Sequence, residues 1–151
     1  MLLREATAAD LPGISAVRLA VRENATTPAE LDRRGITNES VAASFLANSR
    51  GWVALESGAI VGFSIADRAD CSIFALFVLP GYEGRGLGSR LLDLAVDWLW
   101  ESGADRVWLT TDPRTRAAGF YDRRAWVAVG SEGNGEQRYE LARPRQGEVK
   151  R

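Results

Sequence analysis

Between positions 84 and 89 the chain reads Gly84-Arg85-Gly86-Leu87-Gly88-Ser89, a run whose residue types and spacing can do chemistry. Glycine accepts positive φ and lets backbone come close to a ligand, so successive amide N–H groups can face one concavity and hold an anion. A helix opening at the same place adds its unpaired first-turn donors and the positive end of its dipole, a combination suited to a diphosphate. Arg85 and Arg90 can supplement those donors. A tight strand-to-helix turn would use the same glycines with no ligand at all. Spacing narrows the ligand readings: a Walker loop requires Gly-Lys-Ser/Thr, absent here, and the dinucleotide fingerprint requires a third glycine where Arg90 or Leu91 stands.

What the chain lacks narrows the chemistry further. It has no histidine, which excludes a histidine general base, a Ser-His-Asp relay and the common histidine-containing zinc sites; no metal is expected. Cys71 is its one cysteine, so no intrachain disulfide can form, and a reducing cytoplasm is the expected location. At a strand start without a partner base, Cys71 reads as a small packed residue. A net charge of −1 and a pI near 5.6 remove the bulk attraction to phosphate that nucleic-acid binders show. The start Met1-Leu2-Leu3-Arg4-Glu5 lacks the pattern of a signal peptide, and no later apolar run approaches a membrane span, so neither nucleic acid nor membrane is an expected partner.

The elements that must position the loop follow from length and periodicity. With 151 residues, 46% apolar and 26% charged, the chain matches one ordinary globular domain, read here as 1–142 with a polar tail at 143–151. Thr7 to Asp10 reads as a capping box opening a helix with Ile14, Val17 and Val21 inward, ending near Asn24. Pro28 and Gly35 break the next stretch, and Asn38 or Ser40 caps a second short helix carrying Val41, Phe45 and Leu46 inward. Trp52 to Leu55, Ile60 to Ala66 and Ser72 to Leu79 form a three-stranded meander. Leu87, Leu91, Leu94, Ala95 and Trp98 recur at helical spacing until Ser102-Gly103. Val107 to Thr111 is a strand expected to pair in parallel with the strand before the glycine loop. Thr115 to Arg124 is a short helix, and a terminal hairpin follows whose exposed edge could pair two chains as a homodimer. Trp52, Trp98, Trp108 and Trp126 read as core.

The run from Leu76-Phe77-Val78-Leu79-Pro80 through Gly81-Tyr82-Glu83-Gly84 to Arg85-Gly86-Leu87-Gly88-Ser89 resembles the signature of the GNAT superfamily of N-acetyltransferases. That signature is a strand ending in Val-x-Pro, then Gln/Arg-x-x-Gly-x-Gly/Ala opening a long helix. Element order from Leu2 to Ala142 agrees with it. The resemblance implies an α/β (α+β) three-layer fold, with a mixed, mostly antiparallel twisted sheet of about seven strands, about four flanking helices and one splayed parallel pair. It also implies acetyl-CoA as donor, with the pantetheine arm along Leu76, Phe77 and Val78. The diphosphate would meet Gly84, Arg85, Gly86, Leu87, Gly88 and Ser89. The wedge between Phe77 or Val78 and Leu109 or Thr110 would open at a bulge near Leu76.

Two positions depart from the pattern. Glu83 stands where the family has Gln or Arg, and its side chain is expected to point to solvent, away from a diphosphate. Arg114 replaces the family's asparagine, leaving Thr115 as a substitute pantetheine contact.

The segment Ala117-Ala118-Gly119-Phe120-Tyr121 resembles the family's Ala-x-x-Phe-Tyr helix, which implies that Tyr121 lies near the CoA sulfur and protonates it. A free pKa of about 10 keeps it protonated at neutral pH. Tyr121 could instead only pack beside the cofactor. The same resemblance makes Glu23 the leading general base, with Asn24 beside it at the acceptor and Arg18, Val21 and Arg22 sharing that wall; a solvated helix-end charge is the competing reading of Glu23. Glu136, in the terminal hairpin, is a lesser candidate. The function implied is acetyl transfer from acetyl-CoA to a primary amine of a small molecule. A silent acyl-CoA-binding module, or acetylation of a protein N-terminus or lysine, are the alternatives.

Overall fold

The computed structural model describes residues 1–21, 28–131 and 135–144. Strand β1 (Leu2–Glu5) leads through a 3-10 turn (Ala8–Asp10) into α1 (Leu11–Ala20). The Thr7 N–H donates to Asp10 Oδ2 at 2.8 Å, and Arg4 donates to both oxygens of the same carboxylate at 2.8 Å. The capping carboxylate therefore fastens the start of α1 to the first strand. Helix α1 closes at Ala20, earlier than the sequence suggests, and Asn24 lies outside the described residues.

A further helix, α2 (Pro28–Arg33), starts at the proline read above as a break. Proline is tolerated there because the first helical N–H has no intrahelical partner to lose. With α3 (Asn38–Phe45), α4 (Leu87–Glu101) and α5 (Arg116–Asp122) the α-helices number 5 among the described residues, in keeping with the about four expected.

The remaining strands are β2 (Ser49–Glu56), β3 (Ala59–Asp67), β4 (Ser72–Val78), β5 (Arg106–Thr111), β6 (Val127–Ser131) and β7 (Gln137–Ala142). They form a 7-stranded sheet in the order β1-β2-β3-β4-β5-β7-β6. Every neighbouring pair is antiparallel except β4 and β5.

Successive strand residues point to opposite faces, and β2 shows this at Trp52, Val53 and Ala54, which divide between two cores. On one side Ile14 and Val17 of α1 and Val41 of α3 pack on Val53, Phe63 and Ile65. On the other, Leu91, Ala95 and Leu99 of α4 pack on Trp52, Val61 and Val107. Each such fully buried aliphatic side chain contributes about 1.5–3 kcal/mol of transfer free energy. Ser64, buried under α4, donates to the Leu91 carbonyl at 3.0 Å and fixes the helix over the sheet. Leu94, one of the residues at helical spacing in α4, is exposed, and so is Leu46, expected to point inward after α3. Strand β6 forms the far edge of the sheet, with Val127 and Val129 exposed.

Candidate functional site

The parallel pair β4–β5 is held at one register position, Ser72 opposite Trp108. There the Trp108 amide donates to the Cys71 carbonyl at 3.1 Å, and its indole N–H donates to the Asp70 carbonyl at 2.9 Å. Cys71 itself sits in the turn before β4 at φ 57. Beyond this anchor β5 gives its ladder to β7, pairing Leu109 with Tyr139 and Thr110 with Arg138. Strand β4 meanwhile runs on beside β3 as far as the Val78–Gly62 pair. From Phe74 to Val78 the β5-facing edge of β4 has no strand partner among the described residues, so its backbone groups are open to a ligand.

The local cause is a bulge. Ala66 opposes Ile73 and Ile65 opposes Ala75, so Phe74 is skipped in the ladder and is 46% exposed. It lies two residues before Leu76, where the sequence reading placed it. An inserted residue bends a strand and raises its twist, which turns the end of β4 away from β5.

After β4 the Tyr82 N–H donates to the Leu79 carbonyl at 3.1 Å, turning the chain into the glycine run. Gly84 and Gly86 adopt φ 78 and 79, and Gly86 is the N-cap of α4. The amide N–H groups of residues 84 to 89 find no protein acceptor among the described residues. A Cβ added at Gly84 or Gly86 would meet nothing within 4 Å, while one at Gly88 would lie 3.7 Å from Phe120 of α5. The loop thus rests on α5 from one side and keeps open space beside the glycines. Six consecutive unfilled donors at a helix mouth fit the oxygens of a diphosphate.

Charged side chains surround this loop. The Arg85 guanidinium lies 5.0 Å from the Tyr82 ring centroid and 3.7 Å from Glu56. Arg124 donates to the Ser89 hydroxyl and stacks 4.8 Å from the Phe120 ring. Glu83, expected to face solvent, is exposed, and there it forms an ion pair with Arg116 at the start of α5. That cation relieves the repulsion a lone carboxylate would exert on a phosphate. Arg116 and Arg124 went unsingled in the sequence because only the docking of α5 carries them to the loop. Arg114 is engaged by its neighbour Asp112 through bonds of 3.0 and 2.8 Å, which hold the carboxyl down to about 2. The Thr115 hydroxyl donates to the Asp112 carbonyl at 2.8 Å, leaving its oxygen to accept.

Tyr121 is 5% exposed, enclosed by Phe120, Trp126 and Tyr139 with ring centroids 5.3, 5.6 and 5.7 Å away. Its hydroxyl has no hydrogen-bond partner among the described residues. Burial pushes its pKa up, because the phenolate would be stranded without water. Leu76, Phe77 and Val78 are half-buried on β4, and Phe77 stacks on Phe63 at 5.4 Å. Glu23 and Asn24 lie outside the described residues. Among the described residues no helix is long and apolar enough to cross a membrane.

A split parallel pair leading into an amide-lined helix mouth is the architecture of a domain that clasps an extended, phosphate-bearing ligand. The chain belongs to the acetyltransferase (GNAT) family, whose description matches residues 21–126. It is similar to mycothiol acetyltransferase of Beutenbergia cavernae, at 39% identity over 66 residues, 43% of this chain and 22% of that one. It is also similar to the [ribosomal protein bS18]-alanine N-acetyltransferase of Haemophilus influenzae, at 30% identity over 71 residues, 46% of this chain and 49% of that one. The chain thus spans about half, or less, of the length of these curated relatives. Its fold matches the PaiA N-acetyltransferase of Thermoplasma acidophilum, solved in complex with coenzyme A. The TM-score is 0.80 at 14% identity, over 95% of this chain and 100% of that one.

Proposed function

We propose that this chain transfers an acetyl group from acetyl-CoA to a primary amine of a small molecule, by direct attack with donor and acceptor bound together. The observation that carries the reading is the run of unfilled amides from Gly84 to Ser89, continuous with the unpaired edge of β4. The amides suit the diphosphate, and the edge from Leu76 to Val78 suits the amide groups of a pantetheine arm. Bound acetyl-CoA supplies an acetyl carbon activated as a thioester. As the amine nitrogen bonds to that carbon the C–S bond breaks, the nitrogen gives up one proton, and the sulfur takes one.

Tyr121 fills the proton-donor role in this scheme. Its raised pKa keeps it protonated across the neutral range, yet makes it a reluctant acid. Donation becomes favourable if the departing sulfur shares the same apolar enclosure, because desolvation raises the basicity of a thiolate too. Glu23 is the proposed base, with Asn24 beside it at the acceptor. Similarity to an enzyme named for acting on an alanine of a ribosomal protein favours a second reading, in which the amine belongs to a protein.

The test is thiol release from acetyl-CoA across a panel of amines, polyamines, amino acids and peptides. Turnover on small amines supports the first reading, and turnover confined to peptides supports the second. Saturable CoA binding with no release on any member would identify a silent binding module.

A further inference from the structure

Arg18 occupies the last turn of α1, on the sheet face that carries Phe63, Phe77 and the bulged Phe74. Its guanidinium carbon lies 5.6 Å from the Phe63 ring centroid, 5.6 Å from Phe74 and 5.3 Å from Phe77. Those π faces attract the cation but accept few of its five N–H donors. No carboxylate pairs with it among the described residues. Burial first, and the like charge of Arg34 second, pull its pKa down to about 10, so it remains a cation at neutral pH in surroundings that disfavour the charge.

Beside Arg18 a cavity of about 30 Å³ opens between α1, Leu31 of α2, the start of α3 and Ile65, with no acidic residue in its lining. Its other polar groups are neutral and linked to one another or to a neighbour: Ser15 donates to Asn38 at 2.8 Å, and the Thr37 hydroxyl accepts from the Ser40 amide at 3.0 Å. Arg18 is therefore the one charged group in this lining among the described residues. Were packing its whole role, an uncharged chain of similar length would serve without the desolvation penalty.

We infer that Arg18 binds a carboxylate on the acceptor, so that the substrate is an amine that also carries a carboxylate group. The inference rests on the acetyl-transfer reading above. Its geometry comes from β4: Phe74 and Phe77 hold the guanidinium over the stretch of strand whose free edge faces the splay, where the donor thioester would end. A guanidinium fork matches the two oxygens of a carboxylate, and a space this small favours that group over a phosphate.

The test compares matched acceptors in the thiol-release assay: glycine, β-alanine and 4-aminobutyrate, each against its own amide. O-phosphoethanolamine forms a phosphate arm. A peptide amide beginning Ala-Glu against one beginning Ala-Gln separates a free amino acid from a peptide side chain as the source. Wild type is expected to favour at least one carboxylate acceptor over its amide by about 10- to 100-fold in kcat/KM, as for hydrogen bonds between charged groups. Arg18→Met should bring that ratio close to one, and Arg18→Lys should retain part of it. A helix-end role alone would change melting temperature and leave the ratio untouched.

Equal use of acids and amides by wild type, an unchanged ratio in Arg18→Met, or preference for the phosphate arm would each overturn the inference. Should no acceptor turn over, the acetyl-transfer reading fails separately. Calorimetric binding of the same pairs to the CoA-loaded protein then decides the role of Arg18: tighter binding of acids, lost in Arg18→Met, upholds it, and equal or absent binding ends it.

Discussion

Replacing Tyr121 by Phe removes one oxygen and leaves the three ring contacts at 5.3, 5.6 and 5.7 Å in place. In the free chain that oxygen is buried without a hydrogen-bond partner among the described residues, a situation that costs about 1–3 kcal/mol relative to water. The variant should therefore be more stable than wild type by about 1 kcal/mol, raising Tm by roughly 2–4 °C for a chain of this size. Turnover should move the opposite way, falling by about 10²–10⁴ if the phenol protonates the departing sulfur. Affinity for CoA should hold within about twofold, because the diphosphate and pantetheine contacts are untouched.

Burial raises the folded-state phenol pKa above its ordinary value of about 10, so the folded chain keeps a proton that the unfolded chain releases. Wild-type stability from this site is thus complete below about pH 10 and declines above it, and the advantage of Tyr121→Phe should widen there. Calorimetry at neutral and alkaline pH, with thiol-release kinetics on the same preparations, reads all of these quantities. A lower Tm in the variant would refute the unpaired hydroxyl. Wild-type turnover in a more stable variant would leave Tyr121 as packing and remove it from proton transfer.

Glu83→Gln should leave the CoA dissociation constant within about twofold or lower it, since it removes a carboxylate beside the phosphate loop and releases Arg116 from their pair. Isothermal titration reads this, and a several-fold loss of affinity would give Glu83 a positive role. Gly86→Ala should destabilise by about 1–2 kcal/mol because a Cβ is disfavoured at φ 79, and it should weaken CoA by disturbing the amide concavity. Gly88→Ala, with its Cβ at an ordinary 3.7 Å from Phe120, should be neutral or gain up to about 1 kcal/mol of helix stability. Urea titrations that fail to rank the two glycines this way would contradict the loop geometry. Arg4→Ala should lower stability at pH 7 by leaving the buried Asp10 carboxylate with the Thr7 amide and hydroxyl as its remaining donors. Asp10 is held below the usual carboxylate range chiefly by the Arg4 hydrogen bonds, so this loss should shrink as pH falls through the folded-state pKa. An Arg4→Ala deficit independent of pH would show that the pair is not its cause.

Much of the frame is legible in the residues because it rests on rules that act within a few positions. The Thr7–Asp10 box, the meander over residues 49 to 78, the parallel return at β5 and the glycine turn into α4 follow from caps, alternation and spacing. The misreadings have local causes as well. Pro28 opens α2 because proline is excluded from helix interiors and not from first turns. Leu94 fits the apolar period of α4 yet faces outward, since periodicity marks a stripe without fixing its width.

The family signature, the strand-loop-helix order and the chemical character of residues 84 to 89 are written in the order of the amino acids, because glycine spacing and apolar period are properties of neighbouring residues. It takes the folded chain to put the bulge at Phe74, Arg116 against Glu83, Tyr121 among aromatic rings, and Arg18 among phenylalanines with no carboxylate partner among the described residues. Each of those facts involves at least one partner well separated along the chain. Their energies depend on which side chains share a low-dielectric space, and packing alone brings such groups together.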